Sequence, residues 1–342
     1  MAVEPVDALR RIAFLLERSR ASTYRVKAYR EAAGRLLEIP EAQVRTLVEN
    51  GQLTSISGVG KSTAQVIEQA VAGRTPEKLA ELEDKAAGPL AEGGEELRAA
   101  LRGDLHSHSD WSDGGSPIQE MVATAMEIGH EYLALTDHSP RLTVANGLSA
   151  SRLRKQLQVV DTVNGAVGDG FRLLKAIEVD ILDDGSLDQS EEMLEALDIR
   201  VASVHSKLKM DSGSMTRRMV AAVKGRHTNV LGHCTGRLVE GSRGTRPPST
   251  FDAKTVFEAC RDHDTAVEIN SRPERCDPPD ELLSLAVEVG CLFSIDTDAH
   301  APGQLDFQAY GCERAQRLGV PAERVVNSWP VADLLAWANP GR

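Results

Sequence analysis

The sequence predicts an α/β protein: a parallel barrel of seven strand-helix units, TIM-like in plan, preceded by a small all-helical domain. Three observations predict it. Residues 1–75 carry apolar side chains at helical spacing. From Gly103 onward, seven short apolar runs alternate with amphipathic stretches, the pattern of a parallel sheet covered by helices. Between the two regions, residues 84–100 hold Gly88-Pro89 and Gly93-Gly94 and read as a linker. The expected division is therefore a helical domain over 1–83, a linker over 84–100 and the barrel over 101–342.

A chain of 342 residues has room for about two such domains. Its 41% hydrophobic and 26% charged residues suit a packed globular core. No apolar run approaches the length of a membrane span, and the N-terminus lacks the basic-then-apolar pattern of a signal peptide. The five cysteines are scattered and form no Cys-x-x-Cys, so a disulfide scaffold and a thiolate zinc finger are not expected, and a reducing cytoplasm fits. The net charge of −12 is unevenly shared: residues 1–75 carry +3 and the remainder −15. A small basic module joins a large acidic one, and part of that acidity can be metal ligands.

In order along the chain, Val6, Leu9, Ile12, Ala13 and Leu16 mark a first helix. A second runs from Ser22, a good N-cap, through Val26, Tyr29, Ala32 and Leu36. Pro40 opens a third, which ends near Gly51. Gly58-Val-Gly60-Lys61 then turns into a helix that ends at Gly73, and Thr75-Pro76 starts another. In the barrel region the strands are expected at 103–105, 132–135, 173–179, 199–204, 229–231, 266–269 and 292–295. Helices are expected near 116–129, 149–167, 188–197, 213–225, 252–263 and 279–289.

In parallel barrels, function sits at the C-terminal ends of the strands. Those ends read His106-Ser-His108 with Asp113, then His138, Glu178, His205, His233, and finally Asp298-Ala-His300. Six of the nine histidines fall there; His130, His227 and His263 lie elsewhere. A lone strand-end histidine is usually structural, but the whole set in this order points to metal. Imidazole with carboxylate suits Zn²⁺, Mn²⁺ or Fe²⁺. Nine candidate ligands exceed the needs of one ion and suggest two or three, which together clamp a phosphate and generate hydroxide from water. Asp137 and Asp296 are candidates to orient histidines, with strand-end capping as the alternative. Cys234 fits buried packing better than metal ligation.

Gly103-Asp-Leu-His-Ser-His-Ser-Asp-Trp-Ser-Asp-Gly and Tyr132-Leu-Ala-Leu-Thr-Asp-His-Ser resemble the opening of a PHP (polymerase and histidinol phosphatase) domain. Gly232-His-Cys-Thr-Gly-Arg, Glu268-Ile-Asn-Ser-Arg-Pro-Glu-Arg and Thr297-Asp-Ala-His continue the likeness, which is nearest to the PHP domain of bacterial family X DNA polymerases. The resemblance implies a distorted seven-stranded barrel and a site for three divalent ions. His106, His108, Glu178 and Asp298 would hold one. Glu178 would bridge to a second held by His205 and His233. Asp113, His138 and His300 would hold the third. His138, His205 and Asp298 are then expected to be essential for catalysis. Family members hydrolyse phosphoesters, and those attached to family X polymerases are usually Mn²⁺-dependent 3′→5′ exonucleases with related 3′-phosphatase or abasic-site activities. Lys207, Arg237 and Arg272, each just past a strand end, are candidates to bind the substrate phosphate, with surface ion pairs as the alternative.

Thr23-Tyr-Arg-Val-Lys-Ala-Tyr-Arg-Glu-Ala-Ala and Ile56-Ser-Gly-Val-Gly-Lys-Ser-Thr-Ala resemble the DNA-end-binding domain and helix-hairpin-helix of the same polymerases. A Gly-x-Gly turn before a helix lets backbone N–H groups approach a phosphate. Gly58, Gly60, Lys61, Arg25 and Lys27 are the expected contacts to DNA ends, gaps or single strands. Two departures stand out. Only about 30 residues separate hairpin from barrel, too few for a polymerase core. The position of the lyase lysine in some family X enzymes is Val66 here, which argues against Schiff-base chemistry. The leading expectation is thus a DNA-end phosphoesterase in repair. A small-molecule phosphatase, such as one for histidinol phosphate, and a non-catalytic DNA-binding protein are the alternatives.

Overall fold

The computed structural model describes residues 3–241 and 244–340. The chain divides into two compact units at Pro89/Leu90, within the stretch expected to link them.

The first unit is helical. In α1 (Pro5–Arg18), Leu9, Ile12, Ala13 and Leu16 share one buried face, as their spacing demands. That face packs on α2 (Thr23–Leu37) and α4 (Lys61–Val71), with α3 (Glu41–Glu49) and α5 (Glu77–Lys85) completing the bundle. Ser22 stands at the N-cap of α2, but its side chain makes no capping bond. Pro76 precedes α5 instead of sitting in its first turn, and the Glu77 N–H is held by Gln69 Oε1 at 2.9 Å. A buried, two-pronged ion pair between Arg30 and Glu17, 2.7 and 3.0 Å, ties α2 to α1.

The second unit opens with α6 (Glu95–Ala100), formed from residues expected to be linker. Leu97 and Leu101 give this short helix an apolar edge, and both are buried in the barrel's core. Seven parallel strands follow in sequential order: β1 (Gly103–Ser107), β2 (Tyr132–Leu135), β3 (Arg172–Asp180), β4 (Ile199–Ser203), β5 (Val230–Leu231), β6 (Ala266–Asn270) and β7 (Leu292–Asp296). Nearly every strand residue is buried, as expected when helices cover one face and the barrel interior the other. The connecting helices are α7 (Ile118–Glu127), α8 (Ala150–Val167), α9 (Glu191–Glu195), α10 (Ser212–Val223), α11 (Ala253–Asp262) and α12 (Asp280–Val289). Each overlaps its predicted segment.

The barrel's distortion has a visible cause. The register of β1 against β2 shifts between Asp104 and Ser107, and β1 and β7 share no regular ladder. Side chains close that seam instead. Asp296 Oδ1 accepts from the Leu105 N–H at 2.8 Å, and Asp104 accepts from the Thr297 hydroxyl. Asn327 and Gln308 each donate to the carbonyls of both Gly103 and Ile295, at 2.8–3.0 Å. Above the seam a single bridge, Ser107 to Ala299, restores backbone pairing. Besides α6, two helices among the described residues lie beyond the predicted set, α13 (Gln308–Arg317) and α14 (Val331–Ala338). α13 approaches the barrel so closely that a Cβ on Gly311 would lie 2.2 Å from Ser271 Oγ. Among the described residues, no helix is long and apolar enough to cross a membrane.

Candidate metal centre

Strand geometry gathers the ligand candidates. Successive strand side chains alternate faces, so His106 and His108 project to the same side at the end of β1. Glu178 lies near the end of β3. His205 and His233 stand two residues past β4 and β5, His138 three past β2, and Asp298 and His300 two and four past β7. All converge at one mouth. The His108 ring lies 4.5 Å from that of His138 and 4.3 Å from that of His300, centroid to centroid. Glu178 is the hub: its oxygens lie 2.8 Å from His233 Nε2, 2.8 Å from His138 Nδ1, 3.1 Å from His205 Nε2 and 3.4 Å from His106 Nε2. Asp113 reaches in from the loop after β1, 3.4 Å from both His138 and His300. Asp298 is 3.4 Å from His108 Nε2 and holds a left-handed backbone, φ 51°. That conformation is rare outside glycine and is stored at functional sites.

Among the described residues, four sets place their ligand atoms within 4.8 Å of one another: His108, Asp113, His138 and His300; His106, His108 and Asp298; His106, Glu178 and His233; His138, Glu178 and His205. These sets contain all nine residues singled out in the sequence. They cut across the three-ion division implied by the resemblance at His106, His108 and His138, each of which falls in two sets. Glu178 stands between two others, as a bridging carboxylate would.

The chemistry of the donors fits divalent cations. His106 Nε2, His108 Nε2 and His205 Nε2 are buried without a hydrogen-bond partner and face the carboxylates of the cluster. Unsatisfied buried polar atoms are costly, and a cation at the shared centre would satisfy them. The far sides of two rings are already held. His106 Nδ1 lies 2.5 Å from Glu268 Oε1, and His205 Nδ1 lies 2.5 Å from Asp180 Oδ1. Such carboxylate contacts fix the ring and leave its other nitrogen facing the mouth. Burial opposes charge at Glu178, yet His205, His138 and His106 around it hold its carboxyl well below the usual range. Burial also opposes charge at Asp298, but the Arg275 guanidinium, with Nε 2.8 Å from Oδ2, keeps it low. His108 is pushed down to about 3 by burial and by His300 and His138 beside it.

Glu268, Asp180 and Arg275 were not foreseen. Asp180 sits two residues after Glu178 on the same strand, hence on the same face, and that spacing was the available signal. Conversely, Asp137 and Asp296 touch no histidine. Asp137 accepts from Ser109, Ser112 and Gln156, which anchors the loop that carries His108 and Asp113. Asp296 closes the barrel seam. Cys234 is buried beside Asp277, 3.8 Å from Oδ1, and its thiol is pushed up by burial.

The three expected phosphate-binding cations are placed differently from one another. Arg272 reaches the mouth, 3.0 Å from His300 Nδ1 and 3.3 Å from the Asp298 carbonyl. Arg237 is instead tied to the carbonyls of Arg275 and Cys276. Lys207 is exposed and paired with Asp183.

In the helical unit, Gly58 adopts φ +86°, which a side chain would strain. The Gly60 N–H is taken by Thr63 Oγ1 at 2.9 Å, so the donors left for an anion begin at Lys61, in the first turn of α4. Lys61, Arg25 and Lys27 are all exposed, with Lys27 3.5 Å from Glu31. Val66 is buried in the unit's core.

Residues 3–76 match the family model of a helix-hairpin-helix domain, and residues 104–272 match that of the PHP domain. The chain is 38% identical over 237 residues, 69% of its length, to the DNA polymerase/3′-5′ exonuclease PolX of Bacillus subtilis, and it spans 41% of that relative. It is 26% identical over 238 residues, 66% of its length and 90% of the relative's, to the "probable phosphatase YcdX" of Escherichia coli. A solved histidinol phosphate phosphatase from Lactococcus lactis, complexed with zinc, L-histidinol and phosphate, aligns with a TM-score of 0.44 at 18% identity, over 64% of this chain and 92% of that one.

Proposed function

From a chain that joins a helix-hairpin-helix domain to a PHP domain, we propose a metal-dependent phosphoesterase that acts on DNA ends, shortening them 3′→5′. The observation that carries this reading is the largely buried cluster of six imidazoles and three carboxylates, Asp113 alone being exposed, with ring nitrogens left unpaired. The attached hairpin module, the basic part of an acidic chain, supports DNA as the substrate.

His106, His108, Asp113, His138, Glu178, His205, His233, Asp298 and His300 would hold three ions, Mn²⁺ or Zn²⁺. Bound there, such ions neutralise phosphoryl oxygens and acidify the attacking water. The chain's own residues supply position. Glu268 and Asp180 orient His106 and His205. Arg275 fixes the Asp298 carboxylate. Arg272, on the rim beside His300, meets the charge that grows on the phosphoryl group. The hairpin grips sugar-phosphate backbone through the first turn of α4 and reads no base. Among the described residues, no serine or cysteine is placed as a covalent nucleophile.

The test is hydrolysis of 5′-labelled single-stranded, gapped and 3′-phosphate DNA with Mn²⁺, Zn²⁺ or EDTA. The expected result is a ladder shortened from the 3′ end that EDTA abolishes. A second reading, a phosphatase for small esters, is favoured by the YcdX match, which covers 90% of that relative and needs only the barrel. Phosphate release from histidinol phosphate, with no oligonucleotide shortened under any metal, would select it.

A further inference from the structure

Three loops of the barrel mouth are knit into one rigid corner. Ser139, after β2, accepts from the Asp180 N–H at 3.0 Å and donates to Asp188 at 3.2 Å. Asp188 also accepts from the Arg141 N–H at 2.5 Å. The buried Arg218 guanidinium donates to the carbonyls of Ile181, Leu182 and Ser206, which pins the loop after β3 to the loop after β4. Two exposed cations stand on this corner. Arg141 lies three residues past His138, and Lys207 lies two past His205. The exposed carboxylate Asp183 pairs with Lys207, lies 3.9 Å from Arg218 Nη1 and feels the Arg141 charge as well.

Lys207 is held in the left-handed region, φ 53°. A non-glycine residue resists that conformation, and an exposed, solvent-screened ion pair returns little. Pairing with Asp183 is thus a weak reason to present a lysine this way. Two or three residues of chain put these cations at most about 7–11 Å from the histidines, Cα to Cα. That is the scale of one step along a sugar-phosphate chain. The barrel region is strongly acidic overall, so a polyanion reaching this mouth needs cations at its edge.

We propose that Arg141 and Lys207 form a subsite for the second phosphate of a nucleic-acid strand, the one adjacent to the phosphate at the metal centre, and that Asp183 is the carboxylate this phosphate displaces. The subsite rests on the reading of the barrel as a DNA-end phosphoesterase and deepens it, because only a polynucleotide brings a phosphate there. Small monoesters leave the corner empty.

The test compares kcat/KM for a ten-nucleotide strand with kcat/KM for thymidine 5′-p-nitrophenyl phosphate, which has one phosphate, in the full-length Mn²⁺-loaded protein. In Arg141→Ala and in Lys207→Ala the ratio of strand to single-phosphate ester should fall about tenfold, the worth of one charge-assisted contact. In Asp183→Asn the ratio should rise about threefold, because the competing carboxylate loses its charge. A merely structural corner would lower all three variants on both substrates alike. Ratios within about twofold of wild type in every variant, or a fall in Asp183→Asn, overturn the subsite while leaving the parent reading intact. If the wild type cleaves the ester and never the strand, both fall together.

Discussion

The two units place their charge in opposite ways. In the helical unit the core is apolar apart from the Arg30–Glu17 pair, and the side chains expected to meet DNA lie on the surface: Arg25, Lys27 and Lys61 are exposed, and the remaining contact is backbone N–H in the first turn of α4. In the barrel unit, His106, His108 and Glu178 are wholly buried and Asp298 is 2% exposed. The difference teaches where function is fragile. A buried polar cluster acts as a unit, so losing one member strands the rest without partners. A surface grip is a sum of small, screened terms, each of which can be lost singly.

The largest effect should therefore come from the hub. Glu178→Gln and Asp298→Ala are expected to lower hydrolysis at least about 10³-fold and to reduce bound metal, read by elemental analysis of protein purified without chelator. Wild-type turnover with full metal content in either variant would remove the basis of the contrast.

One step out, Glu268→Gln and Asp180→Asn should weaken metal affinity about 10–100-fold, since each frees a ring that another residue had aimed. Titration with a chromogenic chelator measures this. The pH dependence has a definite sign. Burial disfavours charge on His138, yet Glu178 and Asp113 beside it hold its imidazole up to about 10, and Glu268 and Glu178 hold His106 well above its ordinary value after the same opposition. Protons and metal compete for these nitrogens, so affinity should rise as pH rises from 6 to 9, and metal uptake at pH 7 should release protons. Calorimetry in buffers of different ionisation enthalpy counts them. Uptake without proton release would mean that the rings are neutral before metal arrives.

The contrast also explains what the sequence disclosed. The barrel's strands were legible because each is a buried apolar run, and the mouth was legible because histidine is scarce and six of the nine recur at equivalent strand ends. Glu268 and Arg275 were not, because a carboxylate or guanidinium near a strand end looks the same whether it orients a ligand or pairs at the surface. Only burial separates Arg275, enclosed against Asp298, from Lys207, exposed against Asp183. α13 escaped notice because its barrel-facing side includes Gly311 and Gln308, residues chosen for closeness and for closing the seam rather than for apolarity. Arg237 was expected to face substrate and instead clamps two carbonyls, a use that leaves no periodic trace.

In the helical unit the effects should be smaller. Gly58→Val places a β-branched residue at φ +86°, with its Cβ 3.6 Å from Glu31 and Arg35. The left-handed strain should cost about 1–2 kcal/mol of stability in this unit and loosen the hairpin turn. Denaturant unfolding followed by a probe in α4 reads the first, and fluorescence anisotropy of labelled DNA reads the second. A stability loss with unaltered DNA affinity would show that the turn shapes the bundle and not the grip.

The smallest effect should be at Lys61. Its side chain is exposed at the first turn of α4, and the hydrogen-bonding donors there are backbone N–H groups that any residue supplies. Lys61→Glu should weaken DNA binding modestly and evenly across sequences, and reduce the slope of log affinity against log salt by about one. Bound metal should equal that of wild type, because nothing at the barrel mouth depends on this charge. The salt slope is the sharper readout. A change in affinity at constant slope would mean that Lys61 shapes the turn instead of neutralising a phosphate, and the surface grip would then be carried by backbone alone.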